Sequence, residues 1–211
     1  MKGMKLSDRY FKGTTTVGLR CEDGVILATD RRVTSGYFVA HKRGKKIDVI
    51  DEHAAVTIAG AVADAQRLVD RLKAEARLYK VSTGRSMSVK SIASLASLLL
   101  FNVRPNLLIV HIIVGGVDED GASLYNVDWF GTLTEEKYIA TGSGFQLAMG
   151  VIEAMFKEGM KVKEALPIAI KAVKSAMMLD PGSGEGIDVV TVTKDGVRSL
   201  SDEEVKKILY A

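Results

Sequence analysis

Two hydrophobic periods take turns along this chain, and their order limits the fold more than any other feature of its 211 residues. A period of two comes first. Val17, Leu19 and Cys21 alternate with Thr16, Gly18 and Arg20. After a Glu22-Asp23-Gly24 turn, residues 25–32 place Ile26, Ala28 and Asp30 on one face. Two such runs around a tight Asp-Gly turn predict a hairpin. Residues 47–50 and 54–59 predict a second antiparallel pair. The period then changes to that of a helix, with Ala65, Leu68, Val69, Leu72, Ala76 and Tyr79 on one side and Asp64, Arg67, Asp70, Arg71 and Glu75 on the other. A second helix over 88–103 carries serines at 88, 91, 94 and 97, a small-residue stripe expected to let two helices approach closely. Strands are expected at 107–117, 122–128 and 131–141, and helices at 145–157 and 162–178. A strand over 187–193 runs into a Lys194-Asp195-Gly196 turn. Ser201 with Glu204 makes the capping box of a closing helix. Strand blocks separated by helix pairs do not fit a parallel βαβ alternation. Two antiparallel sheets packed face to face, each covered by a helix pair, would bury every apolar face. The expected class is α+β, a four-layer αββα sandwich.

Composition removes several functions. The formal charge is +3 and is spread along the chain, apart from the short basic run His41-Lys42-Arg43-Gly44-Lys45-Lys46, which lacks aromatic interleaving; no nucleic-acid partner is expected. The apolar segments 98–101 and 107–114 fall short of the roughly 20 residues a membrane span needs, and residues 1–13 lack the apolar stretch of a signal peptide. One cysteine, Cys21, excludes an intrachain disulfide, suggests a reducing, cytoplasmic setting, and reads as a small buried hydrophobe. No phosphate-cradling glycine loop, dinucleotide fingerprint or GxSxG elbow occurs. The three histidines have no partners at ligand spacing, His111 reading as a core histidine, so neither metal nor other cofactor is expected.

What remains is Gly13-Thr14-Thr15-Thr16-Val17-Gly18. Threonines opening a strand are ordinary. They become chemical if Thr14 is made an N-terminus. A free α-amine has a pKa of about 7.7–8.0, so it is partly neutral near pH 7 and can accept a proton from the adjacent hydroxyl. One residue then supplies nucleophile and base. Gly13, without a Cβ, suits the strained backbone that brings that hydroxyl to the preceding carbonyl.

This hexapeptide, followed in order by Ala28-Thr29-Asp30-Arg31-Arg32, Lys46-Ile47, Ile58-Ala59-Gly60 with Asp64, Thr141-Gly142-Ser143-Gly144 and Asp180-Pro181-Gly182-Ser183-Gly184, closely resembles the proteasome β-subunits, in particular the archaeal ones with a short propeptide. The resemblance implies an N-terminal-nucleophile hydrolase fold, with residues 1–13 removed between Gly13 and Thr14 and one domain over 14–211. It implies Thr14 as nucleophile and its amine as base, with Lys46 near the hydroxyl; a neighbouring cation lowers the pKa of both groups. Lys46 would pair with Asp30. Lys45, the other choice, would face away on a strand. Ser143, Asp180 and Ser183 would orient the amine. The Gly60 N–H would serve as oxyanion donor, with glycine sparing the approaching peptide a Cβ. Val33, Thr34, Ile58 and Val62 match positions that line the specificity pocket, predicting cleavage after hydrophobic residues, with admission of acidic residues by the nearby basic segment as the alternative. Leu179 stands where many relatives carry arginine, and Pro181-Gly182 is also a departure. Implied partners are other β-subunits in a seven-membered ring, rings of α-subunits, a regulatory ring ATPase and unfolded protein substrates. The rivals are a silent ring member that keeps its leader, and an amidohydrolase acting on a small molecule.

Overall fold

The computed structural model describes residues 13–36 and 38–210; the remainder of the expected propeptide, residues 1–12, lies outside that range. The first hairpin forms as expected from β1 (Thr15–Arg20) and β2 (Gly24–Asp30), with Thr16 opposite Thr29 and Arg20 opposite Val25. A short hairpin follows, β3 (Val33–Ser35) and β4 (Phe38–His41). Then come β5 (Ile47–Asp51), β6 (Ala54–Gly60), α1 (Val62–Thr83) and α2 (Val89–Asn102). The central block holds β7 (Val110–Asp118), β8 (Gly121–Val127), β9 (Leu133–Glu135) and β10 (Tyr138–Gly142). It is followed by α3 (Phe145–Met155), α4 (Val162–Leu179), β11 (Ile187–Thr193), β12 (Gly196–Ser199) and α5 (Asp202–Leu209).

The strands form two five-stranded antiparallel sheets, ordered β10-β1-β2-β11-β12 and β5-β6-β7-β8-β9. Strand alternation sorts their side chains into three cores. Ile26 and Ala28 of β2 pack with Val173 and Ile170 of α4, while Val25 and Leu27 on the opposite face meet Ile113 and Leu124 of the second sheet. In β7, Ile112 and Val114 face Leu72 of α1 and Ile92 of α2. Helix pair, sheet, sheet, helix pair: the αββα sandwich is as the pattern required.

Three expectations are corrected. The strand over 131–141 is two strands, because the chain leaves the second sheet after β9 and joins the first at β10. Residues 33–35 and 38–41, to which the pattern assigned no element, form the β3–β4 hairpin, which His41 ends; residues 42–46 of the basic run are a loop. The serine stripe is not a helix–helix seam. Ser91 and Ser94 are exposed, Ser88 caps α2 by accepting from the Ser91 N–H, and Ser97 donates to the Gly131 carbonyl at 2.5 Å. Burial pushes the Cys21 thiol up to about 12, with Asp23 adding to the shift, so it behaves as the expected hydrophobe. His111 is largely buried against Asn126 (Nε2 to Oδ1, 2.6 Å), and burial holds its pKa below the ordinary histidine value.

Candidate active site

The edges of both sheets converge at one end of the sandwich. The first sheet brings the start of β1 and the ends of β2 and β10, with Thr15 opposite Gly142. The second brings the start of β5 and the end of β6. Residues scattered from 13 to 184 meet here because antiparallel neighbours begin and end at a common edge.

At the centre, the Thr14 hydroxyl donates to the Gly13 carbonyl at 2.6 Å, and the Thr14 N–H donates to Ser143 Oγ at 3.1 Å. The Gly13 N–H donates to Thr34 Oγ1 at 2.7 Å. Thr34, read from sequence as pocket lining alone, therefore also holds the residue whose bond would be broken. Gly13 is required by contact. A Cβ there would stand 1.9 Å from Gly182 Cα, and one on Gly182 would stand 2.3 Å from Gly13 Cα. The unusual Pro181-Gly182 loop thus has a reason in this chain: two glycine backbones touch where Thr14 begins.

Lys46 is 5% exposed and donates from Nζ to Asp30 Oδ1 at 2.7 Å. Asp30 is fully buried and accepts three backbone N–H groups besides, Thr15 on Oδ1 and Arg32 and Gly184 on Oδ2. Burial pulls the Lys46 pKa below the ordinary lysine value, against the opposing pull of Asp30. Lys45, expected to face away on a strand, instead sits in the irregular stretch before β5; it is exposed, bonds Asp48 at 3.1 Å and lines the space beside Thr14.

Ser143, Asp180 and Ser183 come together on the other side of Thr14. Asp180 Oδ2 accepts from Ser143 Oγ and Ser183 Oγ, each at 2.6 Å, and Oδ1 accepts from the Gly182 N–H. Ser183 Oγ also lies 2.7 Å from Thr15 Oγ1. Thr15 was not singled out from sequence, since a threonine in a strand carries no signal of its own. It ties the two halves of the site together, its N–H on Asp30 and its hydroxyl on Ser183. Arg32, likewise unassigned, straps the 181–185 loop through the Pro181 carbonyl at 2.8 Å and Glu185 at 3.1 Å.

A pocket of about 600 Å³ opens beside Thr14 and is lined by Val33, Thr34, Ile58, Gly60 and Val62, and also by Ala65 and Gln66. Gly60 also has a reason within the chain. Its φ is +119°, and a Cβ would stand 2.1 Å from the Ile109 carbonyl oxygen, so the chain entering β7 already requires glycine there. Its N–H direction follows from the ladder. Ala61 donates to Ile109 beside β7, whereas Ile58 donates the other way, to Lys46. Antiparallel alternation sends the Gly60 N–H in the Ile58 direction, into the pocket beyond the start of β5.

The match to known proteins follows the same stretch of chain. A family model described as proteasome subunit matches residues 10–192. This chain belongs to the proteasome subunit family. Among its relatives, proteasome subunit beta 1 of Pyrobaculum calidifontis is 52% identical over 198 residues, covering 93% of this chain and 98% of that one. Proteasome subunit beta 2 of Pyrobaculum islandicum is 50% identical over 197 residues, with the same coverage. Proteasome subunit beta of Methanopyrus kandleri is 47% identical over 211 residues, 98% of this chain and 100% of its own. The αββα sandwich is the N-terminal-nucleophile hydrolase arrangement of that family. No helix among the described residues is long and apolar enough to cross a membrane.

Proposed function

We propose that this chain is a threonine endopeptidase subunit of a 20S proteasome core, active after the Gly13–Thr14 bond is cut by its own Thr14. The observation that carries the reading is the 2.6 Å contact of the Thr14 hydroxyl with the Gly13 carbonyl, in a site that also holds a buried lysine. In the uncut chain the Thr14 nitrogen is an amide and cannot act as base. The hydroxyl oxygen attacks the Gly13 carbonyl carbon, the C–N bond breaks as that nitrogen takes up a proton, and the Gly13 acyl group passes to Oγ as an ester. Water then hydrolyses the ester, releasing Gly13 as a carboxylate and leaving Thr14 with a free amine and a free hydroxyl.

The same atoms then turn over peptides. The amine, oriented by Ser143 on Asp180, accepts the hydroxyl proton as Oγ attacks a substrate carbonyl. Negative charge on the carbonyl oxygen develops toward the Gly60 N–H, and a fixed donor of this kind lowers the barrier by about 2.7–4 kcal/mol. The Lys46 ammonium, held by Asp30, lowers the cost of forming the alkoxide. The leaving amine takes the proton back, and water releases the acyl group. Val33, Ile58 and Val62 favour a hydrophobic residue before the cut bond.

The partners implied are other β-subunits in a seven-membered ring, α-subunit rings and a ring ATPase, in the cytoplasm, with unfolded proteins as substrates; confinement keeps a protease of low selectivity from folded proteins. The test is Thr14→Ala in the assembled particle. Hydrolysis of a fluorogenic Leu peptide and of unfolded casein should both fall to background, and the peptide bond that follows Gly13 should stay intact. Casein or peptide turnover persisting in that variant would contradict the reading.

A further inference from the structure

The pocket beside Thr14 has two chemically different walls. One is apolar, with Val33, Ile58, Val62 and Ala65. The other is the end of β4 and the connection to β5, where His41, Lys42, Arg43 and Lys45 line the same space. Among the described residues no aspartate or glutamate lines this pocket. Its cations differ in how far they are already neutralised. Lys46 is committed to Asp30 at 2.7 Å and Lys45 is held by Asp48 at 3.1 Å. Lys42 and Arg43 take part in no ion pair among the described residues. The field of Arg43 does reach Asp202, but that carboxylate is bound by Arg31. Two uncommitted cations therefore stand at the mouth of a concave, partly apolar space, where low-dielectric walls strengthen their field.

Resting on the protease reading above, we infer that this basic rim is a second substrate subsite. It takes an acidic side chain of the same peptide, at a residue other than the one whose carbonyl Thr14 attacks. The division of labour follows from position. The apolar wall includes Ile58, two residues before the Gly60 N–H that faces the attacked carbonyl, so it serves the residue next to the cut. A pocket of about 600 Å³ leaves room for more than one side chain. A carboxylate at the rim would meet Lys42 and Arg43 at the surface, where water still screens them. The contribution is then that of exposed ion pairs, a preference rather than a requirement.

The test uses assembled particles and internally quenched peptides with one Leu cleavage point, walking Glu, Gln or Lys through the flanking positions on both sides. At one or more positions kcat/KM should follow Glu over Gln over Lys, with Glu exceeding Gln by roughly twofold to fivefold. The gap should narrow as salt is raised. The double substitution Lys42→Gln and Arg43→Gln should bring the Glu-to-Gln ratio to about one. Both side chains are exposed, so the fold tolerates their loss. The same charge change at Lys194 and Lys207, outside the pocket, should keep the ratio. Glu no better than Gln at every position, in a particle that cleaves the Leu peptides, would overturn the inference alone. So would a Glu preference that survives the double substitution, or Glu exceeding Leu at the cleaved residue itself. Failure to cleave any peptide would instead sink the protease reading, and the subsite with it.

Discussion

The Lys46–Asp30 pair is where a single residue carries most consequence. Removing one member of a buried ion pair costs about 3–5 kcal/mol when the other is left without compensation. Asp30 would keep three backbone N–H donors after Lys46→Ala, so the cost should fall below that range and the sandwich should still form. Peptide hydrolysis should nevertheless drop to near background, read as kcat on a Leu peptide beside an unchanged far-ultraviolet circular dichroism spectrum. Near-normal turnover would show that the lysine has been misplaced in the mechanism. The pH profile supplies a second measurement. Burial lowers the Lys46 pKa, so the ammonium is lost at a lower pH than an ordinary lysine would require. The alkaline limb of kcat/KM should therefore lie below the usual lysine range. Thr14, Asp30, Lys46, Ser143, Asp180 and Ser183 were legible in the sequence because each sits in a motif whose order and spacing resemble one family. Thr15 was not, since its importance comes from two contacts, its N–H on Asp30 and its hydroxyl on Ser183, which only folding supplies. Thr34 was legible as a position and not as a contact. Its bond to the Gly13 N–H depends on where the short strand β3 lies.

Whole elements were readable where one face is buried. The runs that became β1, β2, α1 and α4 kept their period because a misplaced residue would expose apolar surface. The split between β9 and β10 was not readable, because both halves alternate normally and only the change of sheet separates them. Nor was the β3–β4 hairpin, whose short strands are mostly exposed and carry little hydrophobic signal. The loop between α4 and β11 matters most for function at this scale. Its Gly182 lies against Gly13, and Arg32 fastens it from the connection that leaves β2. Gly182→Ala would force a Cβ to within 2.3 Å of Gly13 Cα, shifting the carbonyl that the Thr14 hydroxyl meets. Leader release should slow markedly in this variant, followed as the fraction of processed chain over time by mass spectrometry. A version expressed to begin directly at Thr14 lacks Gly13 and should recover most of its peptidase activity. Equal impairment of both versions would mean that the glycine serves the loop or the Ser143 hydroxyl, which the added Cβ also meets at 2.9 Å, and not the glycine–glycine contact.

At the scale of the molecule, the apolar side chains left outside suit a subunit better than a free protein. Phe101 is 52% exposed and shares the Arg104 guanidinium with Phe130, at 4.6 Å from the Phe101 ring centroid and 5.7 Å from that of Phe130, and Trp129 meets Phe130 edge-on. Met178 and Leu179, at the end of α4 next to Asp180, are 72% and 73% exposed. Clustered apolar surface of this kind marks contact with other chains. Phe101→Asp should lower the fraction sedimenting as assembled particle when co-expressed with α-subunits, without lowering the Tm of the isolated chain. An unaltered assembled fraction would remove that face from the subunit contacts. The central claim is simpler and concerns one bond. Intact-mass measurement of the β-chain from purified, peptide-hydrolysing particles should give a chain beginning at Thr14. Active particles in which this chain still carries residues 1–13, with no processed form present, would contradict the account.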